Sequence, residues 1–294
     1  MSIHLTKPHL LVVGGTGFIG HHLALTAKRK GWKVTSVSIN SPKKHKHIDG
    51  VNYLKIDISN IKELKKKLVG TFTYVVNLGG YVSHKSFEDK RGKITKDHLI
   101  GVVNLTKIFY KKKIKKFVQI GSSVEYGEIK APQNENQHGL PNSPYSLAKL
   151  ASTNYLMMLH KTQNFPVTIL RLFQVYGPNQ DSNRVLPQII KGCLNNNKFP
   201  VSKGDQVRDF CYIDDVISAI FLSLTLNRSK TSQQANQPLN IIHESKSPTH
   251  LSTTLPDDLD APLILGLDQL PLVGRVIADQ YPRPTGDPLH ALEP

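Results

Sequence analysis

Cysteine is almost missing from this chain: Cys193 and Cys211 are the only two in 294 residues. Such a pair offers neither a disulfide framework nor the paired spacing of a zinc site, so no metal is expected and a reducing compartment fits. Long apolar runs are missing too. A membrane helix needs about 20 consecutive apolar residues, and the longest candidate, "VISAIFLSLTL" (216–226), falls well short. The opening "MSIHLTKPHL" lacks the pattern of a secretion signal, so a cytoplasmic protein is expected.

Acidic residues are scarce, 22 against 38 Lys and Arg, which leaves a formal charge of +16. That excess raises the question of nucleic acid, yet no zinc-finger spacing, RNA-binding aromatic signature or Arg-rich arm accompanies it. The lysine clusters "KELKKKL" (62–68) and "YKKKIKKF" (110–117) have apolar residues between the charges and read as solvated faces or ends of helices. No specific nucleic-acid partner and no membrane partner is expected, whereas a positive field would attract an anionic small substrate. The charge is also uneven. Residues 1–230 carry a net +21, while 231–294 carry −5 and hold 9 of the 18 prolines.

What is present is alternation, with no internal repeat. Apolar, β-branched runs at 10–13, 33–39, 51–56, 73–78, 116–120 and 167–172 read as buried strands. Helical patterns lie between them at about 17–30, 60–68, 92–113 and 144–163. Parallel strands need crossover helices, so this order predicts an α/β fold, a doubly wound parallel sheet of Rossmann-like type. From about 175 the alternation loosens, with 183–194 and 213–226 as the clearest helices. The expected organisation is a dinucleotide-binding domain over 1–174, a partial substrate-binding lobe over 175–230 and an atypical Pro-rich acidic tail over 231–294.

Directly after the first strand comes "GGTGFIG", with Gly14, Gly17 and Gly20 at three-residue spacing. Glycines there permit a tight turn, close approach to a pyrophosphate and tight packing of the following helix, whose N-terminus faces the anion. At the end of the second strand an acidic residue would accept hydrogen bonds from a free ribose 2′-hydroxyl and repel a 2′-phosphate. The sequence instead reads "VTSVSINSPKK", offering Ser38, Asn40 and Ser41 with Lys43 and Lys44 nearby. NADP(H) is therefore favoured over NAD(H). Asp57, in "KIDI", is placed either to bond the adenine amino group or to cap a helix.

In "PNSPYSLAKL" (141–150), Ser143 suits an N-cap and Pro144 the first helical position, so Tyr145 and Lys149 stand one turn apart on one face. A phenol with a reference pKa of about 10 is a poor base, but an adjacent ammonium favours its phenolate. Ser122, in "IGSSVEYG", leaves the fifth strand at the sheet's carboxyl edge, where its hydroxyl could hold a substrate oxygen.

Taken together, "GGTGFIG", "KIDI", "VVNLGG", "GSSVEYG", "SPYSLAK", "RLFQVYG" and "VRDFCYIDDV" make the chain resemble, from about 9 to 225, an extended short-chain dehydrogenase/reductase of the NAD-dependent epimerase/dehydratase family, which acts on nucleoside-diphosphate sugars. The resemblance implies Ser122, Tyr145 and Lys149 as catalytic residues. It implies cofactor contacts from Gly14, Gly17, Phe18, Ile19 and Gly20, from Ser38 and Asn40, from Asp57 and Ile58, and from Leu78, Gly79 and Gly80, with Tyr145 and Lys149 at the nicotinamide end. Arg208 would grip the substrate diphosphate with its planar, permanently charged fork. Gln174 stands where many members place an Asn, and Arg184 is a further substrate contact. The family's dehydratases carry an acid where this chain has Val124; Glu125, one position on, would point away if the strand continued. Dehydratase activity is thus not expected. The implied function is reduction of a 4-keto-deoxysugar nucleotide, with a 4-epimerase as the alternative and a non-catalytic dinucleotide-binding protein as a further one. The family commonly dimerises through the helices at 92–113 and 144–163, so a homodimer is expected. After "LNI" the sequence leaves the family's pattern; the tail reads either as a divergent substrate lobe or as an unrelated extension.

Overall fold

The computed structural model describes residues 7–80, 92–195, 208–225 and 238–241. The 231–294 tail lies outside them, apart from 238–241.

The apolar runs form the strands of one sheet: β1 (His9–Val13), β2 (Lys33–Ser38), β3 (Val51–Lys55), β4 (Tyr74–Asn77), β5 (Lys116–Ser122), β6 (Val167–Leu172) and β9 (Leu239–Ile241). Their order is β3-β2-β1-β4-β5-β6-β9, and every pairing is parallel. The chain winds outward from β1 in one direction, returns, and winds outward from β4 in the other. The carboxyl ends of β1 and β4 therefore flank the point where crossovers diverge, which is where ligands of such sheets sit.

Crossover helices are α1 (Phe18–Arg29), α2 (Ile61–Lys67), α4 (Gly101–Phe109), α5 (Pro144–Gln163) and α7 (Ile213–Thr225). Apolar residues of α2, α4 and α5, among them Leu64, Leu105, Phe109 and Leu156, pack on Leu11, Val75, Phe117 and Ile169 of the sheet, all buried. Beside β2, Trp32 stacks on Tyr74 at 5.2 Å and meets Phe221 of α7 edge-on at 5.3 Å. The lysine clusters behave as the pattern implied: Leu64, Leu68, Ile114 and Phe117 are buried while Lys65, Lys66, Lys111 and Lys113 are exposed.

One helix differs from expectation. The segment read as a single helix over 92–113 is a short α3 (Lys93–Thr95), a π-helical turn (Lys96–Ile100) and then α4. The wider turn carries buried Asp97 and His98, and Gly101 follows where a Cβ would lie 2.6 Å from Ile58 Cδ1. The α5 prediction matches the observed bounds. Ser143 Oγ accepts from Ser146 N–H at 3.1 Å, Pro144 fills the first position, and Asn164 in the left-handed region (φ +53°) ends the helix.

The described chain divides into two compact units. The first runs through Phe173 and resumes at Asp214; it contains the seven-stranded sheet. The second, Gln174–Ile213, contains β7 (Gln174–Tyr176) paired in parallel with β8 (Phe210–Tyr212), together with α6 (Val185–Leu194). Both cysteines are free thiols, Cys211 buried in β8.

Candidate functional site

The chain must turn from β1 into α1 within four residues. Gly14 does so with φ +81°, and a Cβ there would lie 2.9 Å from Leu78 O. A Cβ on Gly20 would press into Gly14 O and lie 2.7 Å from Gly15 Cα, so the first turn of α1 approaches this closely only as glycine. Gly14 N–H donates to Val37 O at 2.7 Å and Gly17 N–H to Gly14 O at 3.0 Å. Gly17 caps α1 without a side chain, and no acidic residue occupies the first turn, which includes Phe18 and Ile19. The leading N–H groups and the positive helix end are thus open to an anion, which is the cradle a dinucleotide pyrophosphate requires.

Beside this turn, at the carboxyl end of β2, lies a cavity of about 80 Å³ lined by Thr16, Ser36, Ser38, Asn40, Tyr53 and Lys55, with Ser41 and Leu54 completing the wall. No carboxylate of the described residues lines it. Ser38 Oγ accepts from Thr16 N–H at 3.2 Å, tying the cavity to the glycine turn. Ser36 Oγ is buried with no hydrogen-bond partner among the described residues. A basic 3-10 turn, Lys44–Lys46, follows. It reaches α1 at His21, whose pKa is pushed down by burial and by the neighbouring His22, Lys46 and His45. Asp57 lies two residues beyond β3 and does not cap α2: its Oδ1 accepts from Ser59 N–H at 2.8 Å. The cap is Asn60, whose Oδ1 accepts from Lys62 and Glu63 N–H at 3.1 Å each. Asn outcompetes the earlier Asp simply by standing at the residue before the first helical turn.

The loop after β4 joins this half to the next. Asn77 Oδ1 accepts from Gly79 N–H at 2.9 Å, and Asn77 Nδ2 donates to Gln119 Oε1 at 2.8 Å, fixing Leu78 and Gly79 from inside the sheet. Ile58 flanks Gly79, where a Cβ would lie 3.0 Å from its Cδ1, and a Cβ on Gly80 (φ +99°) would fall on the His98 ring.

At the end of β5, Ser122 caps a 3-10 turn, Ser123–Tyr126. The segment bends there, so Glu125 turns into the protein and not along a continued strand; Val124 instead packs beside Tyr145, Ile94 and Ala148. Tyr145 and Lys149, on α5, are 5% and 6% exposed. Lys149 Nζ lies 5.9 Å from the Tyr145 ring centre and donates to Ile120 O at 2.9 Å, two residues before Ser122. The ammonium pKa is pushed down to about 8 by burial, a shift the Glu125 carboxylate opposes. The His98 ring meets the Tyr145 ring edge-on at 5.0 Å. The structure thus gathers Tyr145, Lys149 and the Ser122 turn at the carboxyl edge, with the Gly79–Gly80 loop reaching His98.

Gln174, Arg184 and Arg208 belong to the second unit and are all exposed there. Gln174 N–H donates to Asp209 O at 3.0 Å, and Arg184 is the residue before α6. Three residues of the first unit escaped the sequence reading. His98 gives no signal in an apolar helical run. Arg171 does: a lone guanidinium inside "VTILRL" must find a buried partner, and it finds Glu125. Ser36 is hidden among strand residues.

A parallel sheet that reverses at β1 and β4, a glycine turn under the first helix and a buried Tyr-Lys pair on the fifth define an extended short-chain dehydrogenase/reductase. More narrowly, residues 10–241 match the NAD dependent epimerase/dehydratase family, and the chain belongs to that family. It is 27% identical over 243 residues to the dTDP-D-glucose 4,6-dehydratase of Dictyostelium discoideum, covering 73% of this chain and 55% of that one. It is 28% identical to the UDP-N-acetyl-alpha-D-glucosaminuronate decarboxylase of Bacillus cytotoxicus, covering 74% and 71%. Among solved structures it resembles the UDP-glucose 4-epimerase of Thermotoga maritima with UDP-glucose, at a TM-score of 0.70 and 26% identity, covering 80% and 76%. The UDP-glucuronic acid 4-epimerase of Bacillus cereus, solved with UDP-glucuronic acid and NAD, gives 0.68 and 26%, covering 81% and 78%. The chain therefore spans little more than half of the Dictyostelium relative. No helix of the described residues is long and apolar enough to cross a membrane.

Proposed function

We propose that the protein reduces the 4-keto group of a nucleoside-diphosphate deoxysugar using NADPH. The observation that carries this reading is the carboxylate-free cavity at the end of β2, with Lys55 in its wall and Lys44–Lys46 on the turn that follows. A 2′-phosphate suits such a site, and a reductase consumes its reduced cofactor at every turnover. When bound, the dinucleotide supplies the hydride that reduces C4. Tyr145 gives the proton to O4 as the carbonyl electron pair moves onto that oxygen. Ser122 holds the same oxygen by its hydroxyl, and the Lys149 ammonium stabilises the phenolate that Tyr145 becomes. Val124 beside Tyr145 is apolar, so that position supplies no acid or base for eliminating water. Arg208 and Gln174 are proposed to hold the substrate's diphosphate, and Arg184 to contact its nucleotide.

A second reading, a 4-epimerase that recycles bound NAD, is favoured by the likeness to the Thermotoga and Bacillus cereus epimerases. Incubation with NADPH and a 4-keto sugar nucleotide separates the two. The expected result is loss of NADPH absorbance in proportion to sugar reduced. Interconversion of a UDP-hexose with its 4-epimer, with no net NADPH loss, overturns the reductase in favour of the epimerase. A homodimer in a cytoplasmic setting completes the proposal, supported by exposed Ile100, Leu147 and Met158 on the helices that would pair, 41%, 53% and 46% accessible.

A further inference from the structure

Behind Ser122, the Glu125 carboxylate is 1% exposed and fully engaged. Its Oε1 accepts from Ser122 N–H at 2.8 Å. Its Oε2 accepts from Thr153 Oγ1 at 2.9 Å, one turn beyond Lys149 on α5, and from Arg171 Nε of β6 at 2.9 Å. Arg171 in turn lies over the Tyr126 ring at 4.6 Å. Burial works against its charge, but Glu125 and Tyr126 outweigh this and hold the guanidinium pKa above its ordinary value. Tyr126 Oη donates to Asn240 Oδ1 at 2.7 Å, which anchors the cluster to β9.

We propose that Glu125 is a positioning residue for the Ser122, Tyr145 and Lys149 site: one oxygen fixes the Ser122 backbone, the other fixes α5 through Thr153, and its negative charge acts on the Lys149 ammonium. The inference rests on the roles proposed above for those three residues. A buried carboxylate and guanidinium alone could be a structural pair, since such pairs add little net stability over apolar residues of similar size. Two features go beyond that. The carboxylate bonds the backbone of the candidate catalytic serine, and it is the charge that counters the desolvation of Lys149. Among the described residues, the other ionisable groups at this corner are Tyr145 on α5, Arg171 and Tyr126 behind Glu125, and His98 on the π-helical turn, with the Lys93–Asp97 pair at 2.9 Å beside it. Among the described residues, Glu125 is the carboxylate whose charge acts on the Lys149 ammonium.

The test is a carbon-13 NMR titration of lysine-labelled protein, with the Lys149 signal assigned by its loss in Lys149→Met. In the unaltered protein the midpoint is expected at about 8. Glu125→Gln is expected to lower it, and to move the alkaline limb of kcat in the same direction, while the NADPH-induced melting shift persists. A folded Gln variant with an unchanged Lys149 midpoint overturns the proposal, because a purely structural pair would change Tm alone. Glu125→Asp keeps the charge but shortens the reach: the midpoint should hold while kcat falls about tenfold, about 1.4 kcal/mol of lost positioning. If the Gln variant does not fold, the Asp variant decides, and an unchanged kcat overturns the proposal. The titration needs no turnover, so an inactive protein counts against the proposed reaction without touching the charge coupling.

Discussion

Ser38 carries the cofactor question in a single side chain. It ends β2, lines the small cavity and accepts from Thr16 N–H. An aspartate could keep that hydrogen bond while placing a negative charge where a 2′-phosphate would sit. Repulsion at that range in a partly wet site is worth one or two kcal/mol, so Ser38→Asp is expected to weaken NADPH binding about tenfold or more. NADH binding should hold or tighten, because a carboxylate accepts from a free ribose hydroxyl. Isothermal titration with both nucleotides checks this, and equal loss of both would remove Ser38 from the cofactor site. At this scale the sequence is readable where spacing along one element does the work. Tyr145 and Lys149 share a face because four residues make about one helical turn. Glu125 was legible only as turning away from the site, since its partner Arg171 is 46 positions distant and no local pattern joins them.

Elements differ in how openly their sequences declare them. The α5 helix is stated by its cap, its proline and its periodicity, and Ser143 forms the expected hydrogen bond. The three-residue strands β7, β8 and β9 are too short for a period of two to register. The π-helical turn before α4 hides within an ordinary apolar helical pattern, because one extra residue per turn shifts the buried face without altering composition. The junction of β1 with α1 shows an element held by the absence of a side chain. Alanine at Gly20 would favour the helix by about 1 kcal/mol through propensity. Its Cβ would meet the Gly14 and Gly15 backbone, which has no rotamer to yield, and such overpacking costs about 1–3 kcal/mol. Gly20→Ala is therefore expected to destabilise the fold by up to about 2 kcal/mol in urea titration. It should also abolish most of the NADPH-induced rise in Tm, because the glycine turn must move. A variant that is more stable and still protected by NADPH would show that the turn has room to spare.

Across the whole molecule, a charge of +16 does not point one way. Lys65–Lys67 at the end of α2 precede β4, and Lys111–Lys113 precede β5, so both clusters lie at the amino edge of the sheet. Lys43 and the Lys44–Lys46 turn follow β2 and lie at the carboxyl edge, near the glycine turn. A strand of six residues spans about 20 Å, two Debye lengths at about 0.1 M salt. An anionic sugar nucleotide approaching the carboxyl edge should therefore feel the second cluster and be nearly blind to the first. The expected outcome is specific to position and not to count. Replacing Lys43, Lys44 and Lys46 with Ala should lower kcat/KM several-fold at low ionic strength and flatten its salt dependence, with kcat little changed. Replacing Lys111, Lys112 and Lys113 removes the same number of charges and should alter neither. Equal effects from the two triple variants would mean that net charge alone governs encounter, and that the amino-edge lysines are more than the solvated face their packing indicates.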